Sequence, residues 1–183
     1  MRRCYLAGPD VFHPQAAELA AGKRALCLRF GITGCFPLDN GVDLTALADR
    51  DAALAIYRAN IDLMYSCDLL IANLTPFRGV SADPGTVFEL GFMAALGRPV
   101  AGYSLDQRPY LDRVRLDGLA PGDSLHDEAG HEIENFGLAE NLMIIGALDG
   151  RPDRLVLRPG HAMRIDDHLA AFEDCLRRVL DAA

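Results

Sequence analysis

Apolar runs and the breaks between them lay out strands alternating with helices along the chain. Residues 4–7 form a short apolar run stopped by Gly8, Pro9 and Asp10, which reads as a first strand. Residues 16–30 are rich in Ala and Leu and end at Gly31, predicting a helix. Residues 32–36 read as a second strand and 37–43 as its loop. Residues 44–65 read as a long helix with apolar Leu47, Leu54, Ile61 and Met64. Residues 68–74 are almost unbroken in their apolarity, the pattern of a parallel strand buried on both faces. After a polar loop over 76–82, Asp83 offers an N-cap carboxylate and Pro84 a first helical residue, with Gly97 as the stop. A fourth strand follows at 99–103. Residues 104–136 are irregular and rich in Asp, Gly and His, long enough to read as a lid or binding loop. A helix over 138–148 with Asn141 near its start, an edge strand at 155–157 and an amphipathic helix over 166–180 complete the chain.

Strands alternating with helices imply one α/β domain over residues 1–183. Its core is a doubly wound, mostly parallel five-stranded sheet with helices on both faces, a flavodoxin- or Rossmann-like three-layer sandwich. The net charge of −8 argues against a nucleic acid or an anionic membrane as partner, since both call for a basic patch. No apolar run is long enough to span a bilayer, and no signal peptide is evident. Five cysteines without a CxxC pair fit reduced, buried thiols and a cytoplasmic protein.

The chemistry concentrates on one helix. Between Thr86 and Leu96 the only ionisable residue is Glu89, set among apolar neighbours. A carboxylate there is costly unless it has a partner or a task, which makes Glu89 a candidate functional group. Asp83 lies six residues earlier, at the helix mouth beyond the carboxyl ends of the strands, where open α/β sheets bind ligands. The loop after the first strand lacks the Gly-rich dinucleotide fingerprint, and no P-loop, nucleophile elbow or zinc spacing occurs.

The spacing from Asp83 to Glu89-Leu90-Gly91 resembles the active-site signature of the nucleoside 2-deoxyribosyltransferase family. Tyr5-Leu6-Ala7-Gly8-Pro9, Pro37-Leu38-Asp39-Asn40 and Asn141-Leu142-Met143 are similar to three further motifs of that family, in the same order. The resemblance implies exchange of nucleobases on 2′-deoxyribonucleosides, with free nucleobases as second substrates and neither metal nor organic cofactor. It makes Glu89 the nucleophile and Tyr5 its hydrogen-bond partner, a bond expected to favour the ionised carboxylate. Asp83 and Asn141 would grip the sugar 5′-hydroxyl, and Gly8, Phe12, Asn60 and Met143 would line the substrate site. In some relatives the residue at position 60 is Asp. Asn can pair with a base edge but cannot act as an acid, so leaving-group protonation falls to Asp10, water or another group. The matching Asn141 of the family comes from a neighbouring subunit, which implies a homo-oligomer of two-fold pairs with shared sites. Two other readings stay open. One is a 2′-deoxynucleoside 5′-monophosphate N-glycosidase, with Ser81 near the phosphate. The other is a nucleotide-binding sensor without turnover.

Overall fold

The computed structural model describes residues 1–41, 45, 47–118, 124–148 and 154–181. Five strands are built from the apolar runs: β1 (Arg2–Ala7), β2 (Ile32–Cys35), β3 (Leu69–Asn73), β4 (Val100–Ser104) and β5 (Leu155–Leu157). They lie in the order β2-β1-β3-β4-β5, and every neighbouring pair is parallel. This is the doubly wound order whose switch point falls between β1 and β3. β3 and β4 are buried along their full length, as continuous apolar runs in a parallel sheet require.

The helices are α1 (Ala16–Arg29), α2 (Asp49–Tyr65), α3 (Pro84–Ala95), α4 (Tyr110–Leu116), α5 (Leu142–Ala147) and α6 (Ile165–Asp181). Side chains alternate across the strands, so each sheet face has its own core. Cys4, Leu6, Leu69, Ile71 and Tyr103 pack against α1 and α6. Tyr5, Ala7, Leu70, Ala72 and Val100 pack against Met64 of α2, Leu90 and Met93 of α3, and Ile144 of α5. All five cysteines are free and buried. No helix among the described residues is long and apolar enough to cross a membrane.

Two expectations need correction. The second helix starts at Asp49, not at residue 44; residues 42–44 and 46 lie outside the described part. Asp49 and Asp51 sit in its first turn, where carboxylates complement the helix dipole. The stretch 104–136 is not irregular throughout. It contains α4, whose Leu111 and Val114 form a small separate core with Ile133, backed by Val80 and Tyr110. An antiparallel bridge between His126 and Glu132 turns residues 125–133 back on themselves, with Ile133 N donating to the Leu125 carbonyl.

Candidate active site

β1 and α3 bring the two halves of the site together. The Tyr5 hydroxyl, from a fully buried residue, donates to Glu89 Oε1 at 2.6 Å. Glu89 is half-buried, and its Oε2 accepts no hydrogen bond among the described residues. Burial pushes the Glu89 carboxyl up to about 7; the Tyr5 bond pulls it back and the nearby Asp83 charge adds to the rise. The expected preference for the ionised form is therefore outweighed by desolvation. Burial, and next the Glu89 charge, push the Tyr5 hydroxyl well above the ordinary phenol range, so it is a donor throughout the neutral range.

Asp83 is the N-cap of α3. Its Oδ2 accepts from Thr86 N at 2.9 Å and from Thr86 Oγ1 at 3.0 Å, with Pro84 opening the helix. Its Oδ1 accepts nothing among the described residues. Capping thus holds the carboxylate still and leaves one oxygen for a ligand.

The loop after β1 is fixed by a buried polar cluster. Lys23 Nζ lies 2.5 Å from Asp10 Oδ2, with both side chains 1% exposed. Asn73 Nδ2 donates to Asp10 Oδ1 at 2.9 Å, and Asn73 Oδ1 accepts from Thr75 N. Asp10 therefore has both oxygens engaged by the protein and acts as a clamp joining the β1 and β3 loops. His168 of α6 closes the cluster. Its Nε2 faces the Ala162 carbonyl at 2.9 Å and must donate there, leaving Nδ1 to accept from the Tyr103 hydroxyl at 3.1 Å. Burial holds this imidazole below its ordinary value and hence neutral. Gly8 has φ 157°, and a Cβ there would come within 2.8 Å of both Asp10 Oδ2 and Asn73 Cβ, so the turn admits only glycine. Phe12 is exposed and stacks on Phe77 with centroids 5.5 Å apart, with the Arg78 guanidinium over both rings.

Asn141 is not brought to Glu89 within the chain. It caps α5, its Oδ1 accepting from Met143 N and its Nδ2 donating to Glu134 at 2.6 Å. It lines a groove of about 830 Å³ with Pro84, Val87, Gly91 and Ala94 of α3. At about 100° per residue those positions share one side of the helix, and Glu89 projects from the other. Met143 is exposed at the rim of the same groove, and Asn60 is half-buried on α2. Beyond the groove, Tyr57, Phe88, Phe92 and Tyr65 form a chain of ring contacts across α2 and α3, and three of the four are about half exposed.

Sequence reasoning missed Lys23, Asn73, His168, Arg113 and Glu140, all buried polar residues around the site. Only Lys23 carried a signal: it is the one lysine in the chain, flanked at helical spacing by Leu19, Leu26 and Cys27.

The site thus places a Tyr-supported carboxylate on α3 and a second carboxylate at the mouth of the same helix. Residues 4–143 match the family described as Nucleoside 2-deoxyribosyltransferase, and the chain belongs to that family. It is 36% identical over 157 residues to an uncharacterized protein of Schizosaccharomyces pombe, covering 78% of this chain and 74% of that one. In structure it is similar to a 2-desoxiribosyltransferase from Leishmania mexicana, with TM-score 0.65, 35% identity and coverage of 95% and 98% of the two chains. It is also similar to a conserved protein from Enterococcus faecalis, with TM-score 0.53, 25% identity and coverage of 94% and 98%.

Proposed function

We propose that this protein exchanges nucleobases on 2′-deoxyribonucleosides through a deoxyribosyl–Glu89 intermediate, in nucleotide salvage. The observation that carries the reading is the 2.6 Å contact between Tyr5 and an otherwise apolar-flanked Glu89. A Glu89 oxygen bonds to C1′ while the C1′–N bond breaks; the departing base keeps the electron pair and takes up a proton. A nitrogen of a second base then bonds to C1′ from the vacated face as its N–H proton passes to water and the C1′–O bond breaks, releasing the carboxylate and retaining configuration. Asp83 Oδ1 accepts the 5′-hydroxyl and repels a 5′-phosphate. Ser81 donates to Glu140 at 2.6 Å instead of facing a ligand, which weighs against the 5′-monophosphate N-glycosidase. Asn60 suits a purine edge better than an acid role. Incubation with 2′-deoxyinosine, with and without adenine, tests the reading by chromatography. Deoxyadenosine formed only with adenine supports it; free sugar alone points to a hydrolase, and no product to a sensor.

The nucleophile must be ionised, so kcat/KM should be low below pH 7 and rise to a plateau above it. Removing the Tyr5 bond that pulls the carboxyl down should move that inflection to higher pH in Tyr5→Phe. A pH–rate profile of both proteins checks the sign; an unmoved inflection would separate Tyr5 from the ionisation.

Because Asn141 and Glu89 project on opposite sides of α3, the reading includes a two-fold homo-oligomer in which Asn141 serves the site of a second copy. The apolar groove and the exposed aromatic chain on α2 and α3 are the surfaces for it. Glu89→Ala and Asn141→Ala, each nearly inactive, should recover roughly a quarter of wild-type activity when unfolded together and refolded as an equal mixture. A mixture as inactive as its components, with subunit exchange demonstrated by native mass spectrometry, would place Asn141 in its own chain's site.

A further inference from the structure

Glu140 is a carboxylate only 2% exposed, and the reaction as described makes no use of it. Arg113 of α4, equally buried, donates through Nη2 to Glu140 Oε2 at 2.9 Å and through Nη1 to the Arg108 carbonyl. A charge at this depth is tolerated only when it is paired and its remaining lone pairs are filled. The loop before α3 and the start of α5 fill them: Ser81 Oγ donates to Oε1 at 2.6 Å, Ala82 N to Oε2 at 3.2 Å and Asn141 N to Oε1 at 3.0 Å. Three separate stretches of chain therefore converge on one buried anion.

Two of those stretches carry the groups assigned to the sugar 5′-hydroxyl. Ala82 immediately precedes Asp83, and Asn141 immediately follows Glu140. Each of the two is also a helix cap, so its side chain is tethered forward to the helix it opens. Glu140 supplies the opposite tether, through the backbone just behind Asp83 and at Asn141 itself. A cap held only from the helix side can rock about the residue before it. Held from both sides, it cannot.

We propose that Glu140, itself held by Arg113, is a positioning residue that sets the placement of Asp83 and Asn141 for gripping the substrate 5′-hydroxyl. The proposal rests on the deoxyribosyl-transfer reading. A displacement of about 1 Å in a positioning contact is enough to cost about a hundredfold in rate, so loosening one tether has a measurable effect. That effect is specific, because a sugar without the 5′-hydroxyl makes no use of either contact.

The test compares 2′-deoxyinosine with 2′,5′-dideoxyinosine as donors to adenine, in the wild type, Glu140→Gln and Ser81→Ala. Glu140→Gln keeps the shape and removes the charge; its kcat/KM on 2′-deoxyinosine should fall at least about tenfold, the scale of one well-placed charge-assisted hydrogen bond. On 2′,5′-dideoxyinosine it should stay within about twofold of wild type, since the lost interaction is absent there already. Ser81→Ala removes one tether without stranding Arg113, and should show the same selective loss at about threefold. Should Glu140→Gln fail to fold, Ser81→Ala decides alone. Equal losses on both donors would overturn the proposal and leave base exchange standing, because they would mark a general structural role. A wild type that exchanges neither donor would overturn the functional reading, and the proposal with it.

Discussion

Glu89→Ala loses base exchange by at least about 10⁴-fold, the scale on which removing a covalent nucleophile is felt. Glu89→Gln should be as inactive while keeping an oxygen to accept from the buried Tyr5 hydroxyl at Oε1, so its melting temperature stays close to that of the wild type. The pair separates chemistry from folding. In the wild type, a 2′-fluoro-2′-deoxynucleoside should trap the intermediate, because the fluorine withdraws electrons from the cationic C1′ and slows its release. Trypsin cuts after Arg78 and next after Arg113, because Arg98 and Arg108 each precede a proline, so Glu89 lies on a peptide of residues 79–113, which should carry the added sugar mass. An adduct on another peptide, or substantial exchange by the Ala variant, would remove Glu89 from the reaction.

The largest effect on stability belongs to Lys23. Lys23→Met leaves Asp10 buried at 2% exposure with its cation gone, and breaking a buried pair from one side costs about 3–5 kcal/mol. In a chain of this size that lowers Tm by about 10 °C. The ammonium also lies 5.1 Å from the Tyr103 ring centroid and 5.2 Å from that of Phe172, so its loss removes two cation–π contacts as well. Adding Asp10→Asn removes the stranded charge and should restore most of the loss. Calorimetry on the single and double variants checks both halves; a single variant that melts with the wild type would mean that water reaches Asp10.

Much of the layout could be read from the chain because local signals agreed. β3 is an unbroken apolar run, α3 has both its cap and its stop, and α6 repeats at helical spacing, so each element was placed to within a residue or two. α4 was missed because a seven-residue helix with Leu111 and Val114 as its inward residues has too few turns to show a period, and its partners Val80 and Ile133 are distant in sequence. The polar clusters were hidden for a related reason. Arg113 and Glu140 are 27 residues apart and look like ordinary surface charges until the fold closes over them. Asp10 drew attention as a loop carboxylate, and nothing beside it in the chain shows that Lys23 and Asn73 consume both its oxygens. The side of α3 from which Glu89 projects follows from helical spacing alone. That Asn141 lies against the other side required α5 to be seen in place.

With a single lysine, and that one sealed between α1, β4 and α6, the folded surface offers no ε-amine to an acylating reagent. Such reagents reach the Lys23 nitrogen only when the layer over Asp10 opens. The rate at which that nitrogen is labelled is therefore a clock for the opening of this face of the sheet, built into the native sequence and needing no introduced probe.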